Sequence, residues 1–265
     1  MLASCDSYLD RQPDEPLTSD NIFKKQKTTL QYLTNIYSYQ PDYEAPACVS
    51  NSNDIPWEAC SDETSFAYLD RSYTQINYNS WNPSLHIYRD DTYNTPYKGI
   101  REANYFMQHV HECPELTDTD KGYYYNEARF LRAHFYAMML PVYGPVFLIG
   151  DDPVDFTQSG LDQRERNTWD ECVNYVANEL WEAAKGLPDS WPDIYYGRAT
   201  KGAALAARAR LLLYSARKLF NGNELYKGIV NRNGDHLFPT QYDEKKWELA
   251  AQAAKDVMNL SLIHI

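Results

Sequence analysis

The sequence has few positive charges and no long apolar run, and each absence excludes a class of protein. Lys and Arg number 25 against 37 Asp and Glu, so the formal net charge is −12. Such a surface repels phosphate backbones, and we therefore expect no nucleic-acid partner. The longest apolar run, from Met138 to Ile149, is interrupted by Pro141, Gly144 and Pro145. It is too short and too broken to span a bilayer.

Common catalytic and cofactor motifs are also missing. The chain has no G-x-S-x-G nucleophile elbow, no P-loop and no G-x-G-x-x-G fingerprint. His109, His111 and Cys113 are close in sequence, but helix residues two apart do not face each other, and the H-E-x-x-H spacing is absent. Asp151 and Asp152 resemble a glycosidase carboxylate pair, although any acidic chain offers such pairs. We expect no metal and no cofactor.

The five cysteines contain no C-x-x-C pair, which argues against a zinc ribbon or a thioredoxin-type motif. Cys48 and Cys60 lie in one Pro-, Asn- and Ser-rich stretch, where a disulfide is compatible with an exported protein. Cys172 falls on the apolar face of a predicted helix. We interpret it as a small core residue.

Cys5 stands in a different context. It follows Leu-Ala-Ser at positions 2–4, which resembles the lipobox of bacterial lipoproteins, where a peptidase cuts before a cysteine that then carries lipid. We expect the charged and apolar parts of a signal peptide to have preceded this start. Residues 6–16 are polar, with Pro13 and Pro16, and predict a tether. The alternative is a chance cysteine.

Six stretches carry apolar residues at helical spacing. They are residues 26–39, 92–111, 119–140, 169–185, 201–220 and 244–260. Thr168 and Glu171 predict a capping box before the fourth helix, and Pro141 predicts the end of the third. The last four helices form two pairs, and alanines in the fifth allow close approach. This predicts a mainly α fold of tetratricopeptide-like pairs; an ordinary helical domain explains the periodicity equally well.

Long inserts separate the helices, and the longest, residues 40–91, is rich in aromatic and polar residues. A loop of that length in a compact chain usually carries function. A sugar ring binds with its C–H face on an aromatic ring while planar polar side chains bond its hydroxyls. The insert offers such a set, comprising Trp57, Asp62, Arg71, Tyr73, Tyr78, Trp81 and Asn82. The alternative is that its rings only anchor the insert to the helices.

Several segments, in order, carry a resemblance to a known family. Residues 5–10 (CDSYLD) are similar to a lipidated start, and residues 97–104 (YKGIREAN) to a family helix. Residues 127–133 (EARFLRA), followed by Tyr143-Gly144, resemble its most characteristic helix, and residues 197–204 (GRATKGAA) through 211–214 (LLLY) resemble another. From Cys5 to Leu260 the chain thus resembles the N-terminal part of the SusD/RagB family of nutrient-binding outer-membrane lipoproteins.

The resemblance implies a fold, a role and a site. The fold is SusD-like, an α-helical scaffold of tetratricopeptide-like pairs with loop-rich inserts. The role is to hold glycans, or in some members peptides, at the outer-membrane surface, as a lid on a TonB-dependent (SusC-like) transporter and without catalysis. Starch-binding members use a Trp, an Asn and an Arg, which match Trp81, Asn82 and Arg71 here. The resemblance also implies that Cys5 carries the lipid anchor.

The resemblance also implies a division of the chain. Family members continue beyond this length, so we expect a truncated chain. It has a lipobox remnant and tether at residues 1–16, a SusD-like helical region at 17–260 and an unrelated tail at 261–265. Two other functions stay open. One is a tetratricopeptide-type adaptor that binds a protein through its tyrosine-rich surface, and the other is a glycoside hydrolase.

Overall fold

The computed structural model describes residues 19–40, 61–62, 74–80, 82, 91–151 and 164–261. Within these ranges the fold is mainly α, as predicted. Its six longer helices are α1 (Gln26–Tyr37), α2 (Asp91–His109), α3 (Asp118–Tyr143), α4 (Trp169–Gly186), α5 (Lys201–Ala216) and α6 (Lys245–Ser261). One-turn helices lie at Ser19–Ile22 and Thr74–Asn77. In this described part, β pairing is limited to a bridge between Val230 and His236.

The helices pack in chain order. α3 lies against α2 and α4, and α5 lies against α4 and α6. The first helix, α1, packs on α2 and α3. This serial packing of neighbouring helices is the tetratricopeptide-like arrangement that the sequence predicts. Among the described helices, none has both the length and the apolar character needed to cross a bilayer.

The start of α4 is fixed by the predicted capping box. Thr168 Oγ1 accepts a hydrogen bond from the Glu171 amide at 3.3 Å, and Glu171 Oε2 accepts one from the Thr168 amide at 2.7 Å. Trp169, at the first helical position, is fully buried. Its ring stacks on Phe220 with 4.1 Å between centroids. The cap therefore sets both the helix start and a central core contact.

The end of α3 differs from the prediction. Pro141 does not stop the helix, because a proline in the last turn removes only one intrahelical bond, and α3 continues to Tyr143. Gly144 ends it instead: its amide donates to the Leu140 carbonyl at 3.0 Å. Gly144 has a φ of 69°, in the left-handed region that favours glycine. A Cβ there would lie 2.9 Å from Phe238 Cζ.

The end of α5 also differs, since the helix stops at Ala216 rather than Phe220. Arg217 is extended, with a ψ of 146°. The chain leaves the helix here so that Phe220 can stack on Trp169. Asn221 then holds the segment that follows α5 against residue 243. Its Nδ2 donates to the Asp243 carbonyl at 2.8 Å, and its Oδ1 accepts from the Asp243 amide at 2.9 Å.

Cys172 is a core residue, as predicted. It is fully buried, and its thiol donates to the Val146 carbonyl at 3.4 Å. Burial raises the pKa of this thiol to about 11, so it stays protonated at neutral pH. Cys5, Cys48 and Cys60 lie outside the described residues, as do residues 1–18 and 262–265. The predicted anchor, disulfide and tether therefore stay predictions.

Candidate functional site

The described parts of the insert between α1 and α2 come together around one hydrogen bond. Asn77 Nδ2, in the one-turn helix Thr74–Asn77, donates to the Ser61 carbonyl at 3.2 Å. The Asn79 amide closes the turn by donating to the Ile76 carbonyl at 3.1 Å, and Asn79 has a φ of 53°. The Asn77–Ser61 hydrogen bond joins two segments that lie 16 residues apart in the sequence.

Three members of the predicted sugar-binding set lie in the described parts of the insert. Tyr78 is 61% exposed, and Asp62 and Asn82 are also exposed. An exposed ring, a carboxylate and an amide are the groups that suit a ligand with an apolar face and hydroxyl edges. Trp57, Arg71, Tyr73 and Trp81 lie outside the described residues. The platform of Trp81, Asn82 and Arg71 therefore stays a prediction, of which the structure places only Asn82.

A second region is built around Glu127 of α3, which is fully buried. Its carboxylate accepts two hydrogen bonds from Arg198, at 2.8 Å from Nε and 2.5 Å from Nη2. The Tyr37 hydroxyl of α1 donates to Glu127 Oε1 at 2.5 Å and accepts from the Ala199 amide at 2.9 Å. Burial raises the pKa of Glu127, while Arg198 and Tyr37 oppose that rise. We call Glu127, Arg198 and Tyr37 the Glu127 cluster.

Aromatic rings cover this cluster and fix the loop 188–200 between α4 and α5. The Arg198 guanidinium carbon lies 4.7 Å from the Tyr124 ring centre, 4.5 Å from Trp191 and 5.1 Å from Tyr195. Such cation–π contacts are strongest where water is excluded. Trp191 Nε1 donates to the Ala199 carbonyl at 2.6 Å, which closes the loop at its base.

A pocket of about 260 Å³ lies between α1 and this loop. Its lining residues are Leu30, Leu33, Thr34, Tyr37, Tyr195, Tyr196, Gly197 and Arg198. Tyr196 is 94% exposed, and its neighbour Ile194 is 83% exposed. Of these residues, Gly197 and Arg198 begin the family-like segment 197–204, but no motif indicated a pocket here. The dense aromatic run from Trp191 to Tyr196 was a further signal available in the sequence.

Two arginines of α3 form a further charged cluster. Arg132 is buried and pairs with Glu179 of α4, while its Nη1 lies 2.6 Å from both Asp151 Oδ1 and Asn104 Oδ1. Arg129 binds the same Glu179 through two hydrogen bonds, at 3.1 and 2.7 Å. Asp151 is therefore a counter-ion of Arg132. We call Arg129, Arg132, Glu179 and Asp151 the Arg132 cluster.

The histidines near the end of α2 have structural contacts. His109 Nδ1 lies 2.8 Å from Glu112 Oε1, and the short 3-10 turn Val110–Glu112 follows α2 directly. Cys113 is buried in the core. Within the described ranges, no three His, Cys, Asp or Glu side chains are grouped closely enough to hold a metal ion.

Comparison with known protein families identifies the class of protein. Residues 7–213 match the profile of the SusD-like family, described as starch-binding and associating with the outer membrane. Because this match covers well over half of the chain, the protein belongs to the SusD-like family. No curated protein matches the sequence.

Solved structures show the same fold. BT4246 shares 27% identity at a TM-score of 0.76, and the match covers 90% of this chain and 40% of that chain. A SusD-like protein of Bacteroides fragilis, BF3747, shares 23% identity at a TM-score of 0.68, covering 91% and 39%. A laminarin-binding SusD-like protein shares 20% identity at 0.61, covering 74% and 42%. The chain therefore spans about 40% of the length of the structures it matches, and the predicted SusD-like fold class is confirmed.

Proposed function

We propose that this chain belongs to a surface lipoprotein of the outer membrane that binds glycans and passes them to a TonB-dependent, SusC-like transporter. The protein acts by binding and not by catalysis. The family description, which names starch binding and outer-membrane association, supports this proposal. A structural relative that binds laminarin supports a glycan ligand.

The observation that carries the proposal is the exposed surface of the insert. Tyr78 keeps its ring in solvent, and the Asn77–Ser61 hydrogen bond joins the segments that carry Tyr78 and Asp62. Trp81 follows directly in sequence, between Ser80 and Asn82. A large ring flanked by amide, carboxylate and guanidinium groups stacks on a sugar and bonds its hydroxyls. We assign Trp81 the stacking role, and Asn82 and Arg71 the hydrogen-bonding role.

Calorimetry with oligosaccharides of starch and laminarin tests glycan binding. Trp81→Ala is expected to weaken binding by about 1–3 kcal/mol while the helical circular dichroism signal is retained. Tyr242→Ala, at an exposed tyrosine outside the insert, is the matched control and should leave binding unchanged. Wild-type protein that binds neither polysaccharide series contradicts the proposal. Release of reducing sugar by pure protein contradicts the non-catalytic role.

The membrane anchor and the transporter have separate tests. In a full-length gene with its signal peptide, Cys5→Ala should abolish palmitate labelling and release the protein from the membrane. Retained labelling would remove Cys5 as the lipidation site.

Co-purification of the tagged wild-type protein with a TonB-dependent transporter tests the partner. A tetratricopeptide-type adaptor would instead co-purify with a soluble protein and would bind no glycan.

A further inference from the structure

The loop 188–200 holds an exposed tyrosine beside a pocket whose walls are already in place. Arg198 and Ala199 anchor the loop to Glu127 and Tyr37, and Trp191 closes its base. Tyr196 remains 94% exposed above these contacts. A site that is ordered before binding loses less conformational entropy when a ligand arrives.

The size and the charge of the pocket limit the ligands that it can hold. Its volume of about 260 Å³ lies below the ~300–1,000 Å³ of sites for drug-sized molecules, so it accommodates one ring-sized group. Glu127 neutralises Arg198, so the wall offers no unpaired charge to an ion. Leu30 is half-buried and supplies aliphatic surface. The Thr34 hydroxyl donates to the Leu30 carbonyl at 2.9 Å, so its oxygen remains able to accept a hydrogen bond.

We propose that this pocket is a sugar-contact site that holds one pyranose ring of a bound glycan against Tyr196. A pyranose has an apolar C–H face for Leu30 and the Tyr196 ring, and hydroxyl edges that can donate to the Thr34 oxygen. This site is separate in sequence from the insert that carries Tyr78 and Trp81. The inference rests on the proposed glycan-binding function and adds a second point of contact to it.

The test is calorimetry of the whole 265-residue chain with malto-oligosaccharides and laminari-oligosaccharides. Tyr196→Ala is expected to weaken binding about threefold to tenfold, the usual effect of losing one aromatic contact. Tyr196→Phe keeps the ring and should bind like wild type. Thr34→Trp, at an exposed position of α1 that lines the pocket, places an indole in the space proposed for the sugar and should weaken binding to a similar degree.

The outcomes separate this inference from the proposed function. If wild type binds a glycan and both Tyr196→Ala and Thr34→Trp bind it equally well, the pocket is not a sugar site, while the proposed function stands. If wild type binds neither oligosaccharide series, the proposed function and this inference both fail. An equal loss in the control Tyr242→Ala would show a nonspecific effect and would also overturn the pocket assignment.

Discussion

The Glu127 and Arg132 clusters lie within two turns of each other on α3, yet they hold their charges in different ways. In the Glu127 cluster both charged partners are shielded: Glu127 is fully buried, and the Arg198 side chain is 15% exposed. In the Arg132 cluster a buried arginine shares Glu179 with Arg129 and reaches out to Asp151, whose side chain is 82% exposed. The first depends on one buried pair, whereas water helps to screen the second.

This difference shows how one helix supports two loops. Arg198 ties the loop 188–200 to α3, and that loop forms a wall of the pocket. The Arg132 cluster ties down residues 146–151 after α3, together with Asn104, whose side chain donates to the Gly150 carbonyl at 3.0 Å. Charges on α3 therefore position loops, and the cost of losing a charge should depend on how far its partner is buried.

Removing Glu127 should have the largest effect. Glu127→Ala leaves Arg198 without its counter-charge and Tyr37 without its acceptor, and it should destabilise the protein by about 3–5 kcal/mol in urea unfolding. Glu224→Ala, at an exposed i,i+3 pair with Lys227, is the control and should unfold like wild type. A loss below about 1 kcal/mol in Glu127→Ala would show that the buried pair does not stabilise the loop.

His134 tests the cost of burying a charge in a group that has no counter-charge. Its Nδ1 is buried without a partner among the described residues. Burial and the nearby Arg210 lower the pKa of His134 from 6.5 to about 4. Because the unfolded state binds the proton more tightly, stability is complete above pH 6.5. It falls between pH 6.5 and 4, by up to about 1.4 kcal/mol per pH unit, and then levels off.

Urea unfolding between pH 7.5 and 4 measures this loss, which should total about 2–4 kcal/mol for His134. The variant His134→Gln removes the titrating group and should flatten that part of the curve. Parallel pH profiles for the two proteins would show that His134 accepts its proton without cost in the folded state.

The helices could be predicted because each buries one periodic face, and periodicity is local. Their ends could not all be predicted. The stop at Ala216 depends on Phe220 stacking against Trp169, 51 residues earlier in the chain. The alanines of α5 show the same limit. The periodicity indicates a close-packed face, but only the structure shows Ala204 buried and Ala203 exposed.

The candidate sites were also predictable only in part, because local composition can be read from the sequence and long-range contacts cannot. Composition identified the insert with Tyr78 and Asn82, but not the hydrogen bond from Asn77 to Ser61 that joins its segments. Glu127 lies in a family-like motif, but its burial could not be predicted from that motif. Charged residues are rarely buried unless they are paired, and the motif does not show the partner. Its partner Arg198 lies 71 residues away, and no local pattern links the two residues.

Removing the Tyr37 hydroxyl should have an intermediate effect. Tyr37→Phe leaves the Ala199 amide without its acceptor and takes one hydrogen bond from Glu127, but it keeps the Arg198 pair intact. An unsatisfied buried donor costs about 1–3 kcal/mol. Thermal unfolding measures this loss, and Tyr242→Phe at an exposed position is the control. A loss as large as that of Glu127→Ala would place the main support of the loop in Tyr37 and not in the ion pair.

The smallest effect is expected at Asp151. Asp151→Asn keeps an oxygen that can accept a hydrogen bond from Arg132 Nη1, and Glu179 still neutralises the buried guanidinium. Since the Asp151 side chain is 82% exposed, the loss should stay below about 1 kcal/mol and should shrink further in high salt. Asp189→Asn is the matched control, because Asp189 is 75% exposed and lies 3.8 Å from Lys201. A loss at Asp151 comparable to that of Glu127→Ala would mean that solvent does not screen the Arg132 cluster, and the contrast between the two clusters would disappear.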